Sequence, residues 1–257
     1  MVSACTHDIQ GKPLINKVNF VVVGAQKAGT TALRQFLGQH PEIGLVRTRG
    51  ETHFFDKYGE DAARGDYTQY HAMYSDCDLA LCCGDVTPIY LYKRGCLDHI
   101  RAYNPAMKVI VMVRDPVERA YSQWAMETSR GSESRRFVTA LFHELYFWLR
   151  HGQHPVYSYV QRGFYGAQIA RLFEVFPQGQ CLILLNSDLK DNHNAVLRRI
   201  YEFLDIEVIN PPAAEIVHSR TYNPLSVVWR RLLRLVYYRD TRRLERLTGL
   251  KCQKWYR

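Results

Sequence analysis

The chain has 257 residues, 47% of them hydrophobic, enough to bury a sizeable core, and nothing in its composition demands more than one domain. A formal net charge of +9 favours anionic partners, whether nucleotides, acidic glycans, nucleic acid or a membrane surface, and charge alone does not choose among them. No apolar run approaches the ~20 residues that span a bilayer, and no basic-then-apolar leader opens the sequence, so a soluble, cytoplasmic chain is expected.

Residues 1–17 read as an irregular lead-in, with the folded domain expected over 18–257. A β-branched apolar run at 18–23 precedes a helical pattern at 30–38. The same alternation recurs at 108–113 with 116–130, and at 181–185 with 192–204. It predicts an α/β fold in which a central parallel sheet is flanked by helices. Between the second and third units, 133–150 and 159–176 carry aromatic and aliphatic residues at helical spacing and read as packing helices. From residue 224 onward Leu, Val and Trp mix with Arg230, Arg231, Arg234, Arg242, Arg243 and Arg246. That tail reads either as a solvated helical face or as a surface that collects an anionic substrate or a membrane.

The seven cysteines (Cys5, Cys77, Cys82, Cys83, Cys96, Cys181 and Cys252) form no CxxC pair, so reduced thiols are expected rather than a disulfide framework or a thiolate zinc site. The histidines show no HExxH or related spacing, and no metal is expected.

Two segments carry the chemistry. After the first strand comes Gly24-Ala-Gln-Lys-Ala-Gly-Thr-Thr31, followed by a helix pattern through Leu33, Phe36 and Leu37. Glycines let the backbone turn so that N–H groups converge on an anion, and the helix N-terminus adds its positive dipole end. Lys27 adds a full charge. The G-x-x-x-x-G spacing matches a Walker A loop, but Thr30 and Thr31 stand where the Lys-Ser/Thr pair belongs, which disfavours an ordinary ATPase or GTPase.

The second segment follows the strand at 108–113. Asp115 suits the N-cap, Pro116 the first helical position and Glu118 the capping-box position. Arg114 then lies at a strand end, where open α/β sheets bind ligands. Ser122, two turns into the helix at ~1.5 Å per residue, shares the cap's face and can join Arg114 at one phosphate. Arg119, one turn earlier, can do the same or pair with Asp115. Together the segments imply a ligand with phosphate groups at both ends. Nucleic-acid binding would explain the basic tail but not the two anion loops, so no nucleic-acid partner is expected.

These residues resemble the sulfotransferases that use 3′-phosphoadenosine 5′-phosphosulfate (PAPS). Gly24 to Thr31 is similar to the family's 5′-phosphosulfate loop, and Arg114 to Ser122 to its R-D-P-x-x-R-x-x-S element, which binds the 3′-phosphate. Glu51-Thr-His-Phe-Phe-Asp56 resembles the E-x-H-F-F-D segment of the heparan-sulfate and bacterial branch. Residues 159–177 and 187–204 resemble that branch's Tyr-containing helix and closing unit.

The resemblance implies a single P-loop-like domain in which PAPS lies across the strand ends and the product nucleotide is 3′-phosphoadenosine 5′-phosphate (PAP). It assigns Gln26, Lys27, Ala28, Gly29, Thr30, Thr31, Arg114, Ser122 and Arg220 to the donor. It makes Glu51 the general base, with Lys27 stabilising the departing phosphate and His53 the competing base or an orienting group. In an extended segment His53 would share a face with Glu51. Phe54 and Phe55 are expected in the core.

Asp85-Val-Thr-Pro88 stands where heparan sulfotransferases have Glu-Lys-Thr-Pro, so a cleft lysine is absent, and the segment around Arg220 is only loosely similar to the one that closes over the nucleotide. The expected acceptor is a small molecule with a hydroxyl or amine, such as a natural product. The alternatives are a heparan-type polysaccharide sulfotransferase, a nucleotide kinase and a non-catalytic nucleotide-binding module.

Overall fold

The computed structural model describes residues 18–46, 50–74, 77, 82–211 and 225–256. Strand β1 (Phe20–Gly24) is buried at every position, as its run of three valines requires of a strand covered on both faces. It lies between β3 (Cys82–Val86) and β4 (Lys108–Val113), with β2 (Ile43–Leu45) outside β3 and β5 (Cys181–Leu185) outside β4. All four pairings are parallel, giving the order β2-β3-β1-β4-β5. Parallel neighbours need crossover connections, and helices supply them here.

These are α1 (Thr30–Leu37), the short α2 (Phe54–Lys57), α3 (Gly59–Arg64) and α4 (Thr68–Ala72), then α5 (Cys96–Tyr103), α6 (Pro116–Ser129), α7 (Phe137–His151) and α8 (Tyr165–Val175), while α9 (Asn186–Asp191), α10 (His193–Leu204) and α11 (Val227–Thr248) follow β5. The expected α/β class with a central parallel sheet is what forms.

The sequence expectation of one helix over 159–176 is modified. The chain makes a 3-10 turn at Gln161–Gly163, leaves helical geometry at Phe164 (φ −78°, ψ 73°) and restarts as α8. The basic tail is one long helix, α11, that buries Leu233, Tyr237, Thr241 and Leu244. Its Asp240 accepts hydrogen bonds from Gly166 N and Ala167 N at 2.7 and 2.9 Å, satisfying donors that the first turn of α8 leaves open. This helix is therefore structural along one side, while Arg231, Arg239, Arg242, Arg243 and Arg246 remain exposed on the other.

The main core lies against the sheet and contains Phe54 and Phe55. A smaller one forms where Val117 and Ala120 of α6 meet Phe137 and Ala140 of α7, Tyr159, and Leu233 and Tyr237 of α11. The described cysteines are free thiols. Among the described residues no helix is long and apolar enough to cross a membrane, and no cluster of His, Cys, Asp and Glu has metal-binding geometry.

The strand order positions the site. From β1 the chain crosses outward to β2, whereas from β4 it crosses the other way to β5, so β1 and β4 are neighbours whose connections diverge. Open α/β sheets bind ligands in the crevice at the carboxyl ends of such a strand pair.

Candidate active site

The loop at Gly24 to Thr31 leaves the carboxyl end of β1. Ala25 N donates to Met112 O of β4 at 2.7 Å, which keeps the loop on the sheet. Lys27 (φ 68°) and Gly29 (φ 94°) are both left-handed, the kind of turn in which consecutive N–H groups face one concave side. Glycine at 29 is required twice over: besides its φ, a Cβ there would lie 2.3 Å from Asn186 Nδ2. Ala28 and Thr30 are buried, Gln26 and Lys27 half-buried, and Thr31 exposed at the start of α1.

The segment after β4 meets this loop. Arg114 Nη1 donates to the Lys27 carbonyl at 3.4 Å, joining the two candidate segments across the β1–β4 crevice. Asp115 Oδ1 accepts from Val117 N at 2.8 Å and Glu118 N at 3.2 Å, the N-cap anticipated from sequence. Glu118 does not close a capping box. It pairs with Arg230 of α11 and lies 3.9 Å from Arg114 Nη2. Ser122 is buried on α6.

Arg119 departs from expectation. It neither joins Arg114 nor pairs with Asp115 but points into the smaller core, fully buried, donating to Gln123 Oε1 at 2.8 Å and to the Tyr159 carbonyl. Helical spacing alone leaves Arg119 on the cap's face; the side chain is drawn inward by Gln123, one turn further along α6, and by the Tyr159 carbonyl packed against it.

The carboxyl end of β3, on the other flank of β1, carries a second cluster. His53 Nε2 lies 3.1 Å from Glu51 Oε2, and its Nδ1 lies 3.0 Å from Asp56 Oδ1. The segment is not extended at His53, whose φ of 52° caps α2. The imidazole instead reaches back to Glu51 from a left-handed turn. The hydrogen bond to Asp56, then that to Glu51, raises the His53 pKa to about 9. At neutral pH it is an imidazolium held between two carboxylates.

Thr52, between the two, is fastened to the sheet through a buried carboxylate. Asp85 accepts from Thr52 Oγ1 and Thr87 Oγ1 at 2.7 Å each, from Tyr70 OH at 3.1 Å and from Tyr90 OH at 3.2 Å. Thr52 N donates to Thr87 Oγ1 at 3.1 Å, and Phe55 N to Tyr90 OH at 3.4 Å. Burial pushes the Asp85 carboxyl upward, and the hydroxyls pull against that.

The structure thus joins the segments at Lys27 and Arg114 and sets Glu51 and His53 at the next strand end. Arg220 lies outside the described residues. Three contributors carry no role in the sequence reading: Asp56, the second partner of His53; Asp85, the hub beneath Thr52; and Arg162, which donates to Gln26 Oε1 in the phosphate loop. Asp56 was visible as the i+3 neighbour of His53. Arg162 is 136 residues from Gln26 and has no local signature.

The fold is an α/β sheet whose central strand ends in a left-handed loop turn, with a paired carboxylate and imidazole at the next strand end, and these strand ends form the candidate site. Residues 19–81 and 67–210 match the sulfotransferase family, and the chain belongs to that family. The crystal structure of a sulfotransferase from Alicyclobacillus acidocaldarius superposes with a TM-score of 0.82 at 25% identity, covering 95% of this chain and all of that one.

Heparan sulfate glucosamine 3-O-sulfotransferase 3B1 of Mus musculus is 30% identical over 193 residues, 74% of this chain and 46% of the relative. Heparan sulfate glucosamine 3-O-sulfotransferase 6 of Homo sapiens is 30% identical over 190 residues, 73% of this chain and 52% of the relative. The matched part of this chain spans about half the length of these relatives.

Proposed function

We propose that this chain is a soluble, cytoplasmic enzyme that moves a sulfuryl group from PAPS to a hydroxyl or amine of a small-molecule acceptor, such as a natural product. The observation that carries the reading is the junction of two anion-binding segments at the β1–β4 crevice, joined by Arg114 and the Lys27 carbonyl. Two such segments at adjacent strand ends give a nucleotide with phosphate at two positions separate seats, the 5′ end on the Gly24–Thr31 loop and the 3′-phosphate on Arg114 and Ser122. Backbone N–H donors, Lys27 and Arg114 are a donor set for phosphate oxygens, so the residues fit such a ligand.

Chemically, the acceptor oxygen or nitrogen forms a bond to sulfur as the bond between sulfur and the bridging oxygen breaks. Negative charge collects on that oxygen, and Lys27 with the loop N–H groups stabilises it. The acceptor proton goes to Glu51. His53, already protonated at neutral pH, has no lone pair to take it; its Nε2–H instead orients the Glu51 carboxylate. Asp56 holds the imidazolium from the other side. The positive charge at the leaving group comes from the chain itself, and the proposed reaction uses no metal.

A second reading, a polysaccharide acceptor, is favoured by the names of the heparan sulfate relatives. Val86, where the resemblance has a lysine, is an apolar residue buried in the core and offers a sulfated glycan no charge. Parallel assays with a panel of phenols, alcohols and amines and with heparan sulfate separate the two readings.

Calorimetric titration with PAP, ATP and ADP without metal, on wild type and Arg114→Ala, tests the donor. Tight binding of PAP that weakens in the variant is expected. Preference for ATP, or indifference to the 3′-phosphate, would overturn the reading.

A further inference from the structure

Arg162 is 3% exposed and has no carboxylate partner among the described residues. One terminal nitrogen donates to Gln26 Oε1, the other to the Pro155 carbonyl at 2.6 Å, and the guanidinium stands 5.1 Å from the centre of the Tyr92 ring. Its Nε has no hydrogen-bond partner. Burial, then repulsion from Arg119, lowers its pKa to about 10, so it is a cation at neutral pH. Glu127 and Glu144 attract it without touching it, so it is a buried cation with no direct ion pair, which is costly, and such groups concentrate where a site uses their charge.

The turn that carries Arg162 is held from three helices. Glu144 of α7 accepts from Val160 N at 2.8 Å and Gln161 N at 2.9 Å, and Gln168 of α8 donates to the Arg162 carbonyl at 3.1 Å. Tyr237 of α11 packs so closely that a Cβ on Gly163 would lie 2.7 Å from its hydroxyl. The guanidinium is therefore a fixed reference point, not a swinging surface group.

A guanidinium can only donate, so Gln26 must give it the amide oxygen. The two N–H donors on the other arm of that planar amide are then left for a partner other than the buried arginine, on a side chain that is itself only half-buried. Among the described residues no acceptor meets them. We propose that Arg162 is a positioning residue that locks the Gln26 amide with its Nε2–H donors turned outward, where they bind the oxygens at the 5′ end of the donor nucleotide. Without Arg162 the amide is free to flip and present its oxygen to the anion. The inference rests on the donor reading above and adds a residue to it that acts through another.

The test compares PAP with adenosine 3′-monophosphate by calorimetry, because only PAP carries the 5′ group. Wild type should prefer PAP. Arg162→Met should cut that preference by roughly tenfold or more, the scale of a lost hydrogen bond to a charged group, and leave adenosine 3′-monophosphate affinity unchanged. In a Gln26→Ala background Arg162→Met should have no further effect on the preference.

Equal weakening of both ligands, or effects that add in the double variant, would show Arg162 to be a prop for the fold and overturn the inference. Should Arg162→Met fail to fold, Gln26→Glu carries the test, since it keeps a partner for Arg162 and removes the outward donors. An undiminished preference for PAP in that variant sinks the proposal. A wild type that binds both ligands equally, or neither, overturns the donor reading together with it.

Discussion

His53 shows how a side chain's neighbours assign its role. Held by Asp56 and Glu51, it stays charged up to about pH 9, so the proposed general base is Glu51 and not the imidazole. Glu51→Gln should lower kcat on the order of 10²–10⁴-fold while PAP affinity is unchanged, the range general-base removal gives. If His53→Ala lost turnover while Glu51→Gln kept it, the two roles would be exchanged. Lys27→Ala should cost about 10²–10³-fold in kcat, as loss of a charge aimed at a leaving group does, with little change in melting temperature.

The raised pKa also has a stability signature. A histidine whose folded pKa lies above its unfolded 6.5 contributes stability that is complete below that value and is lost as pH rises through about 9. Asp56→Asn removes the largest cause of the shift. The melting-temperature gap between wild type and Asp56→Asn should therefore be widest near about pH 6 and close by about pH 10. A gap that stays constant across that range would show that the two residues do not form this ion pair in solution.

Residues 50–53 lie in no helix or strand and take their place from β3. Thr52 is tied to Asp85, Thr87 and Tyr90, so Glu51 and His53 on either side of it inherit the position of a strand end. Asp85→Ala leaves four hydroxyls without their common acceptor in a buried place and should destabilise the fold by about 2–3 kcal/mol in urea unfolding. Asp85→Asn, which keeps one acceptor oxygen, should cost less. An Asp85→Ala protein as stable as wild type would mean that the hydroxyls find other partners and that the segment is anchored elsewhere.

This dependence explains what the sequence did and did not disclose. The E-x-H-F-F-D pattern was visible, and its two phenylalanines do enter the core. Strand β3 was not visible, because Cys-Cys-Gly-Asp-Val has no β-branched run. Gly84 is there because the Phe20 ring fills its side-chain space, where a Cβ would lie 2.1 Å from the ring. The short β2 was missed for the same lack of pattern, and the break at Phe164 was hidden inside a continuous helical spacing.

For the molecule as a whole, the consequence lies in which strands the ligand would touch. β1 and β4 are far apart in sequence and adjacent in space, and each ends in one of the two segments proposed to hold phosphate. Their local motifs and the alternation of strands and helices were legible because both depend on short-range pattern. The way Arg162 and Asp85 support the site was not, since each acts through partners brought together only by the sheet and by the packing of α7, α8 and α11. A nucleotide with phosphates on both segments fastens the two halves of the sheet together and binds only the folded chain.

By mass action PAP at about 100 times its Kd adds ~2.7 kcal/mol to stability. For a chain of this size that corresponds to a rise in melting temperature of about 5–10 °C. Adenosine 3′-monophosphate, which reaches one segment, should give a smaller rise, and Arg114→Ala should reduce the rise from PAP toward that level. A chelator should leave the shift unchanged, because Lys27, Arg114 and backbone N–H groups supply the positive end of every contact. Equal shifts from PAP and adenosine 3′-monophosphate would mean that the ligand does not bridge β1 and β4, and a shift abolished by chelator would return the site to metal-dependent phosphoryl chemistry.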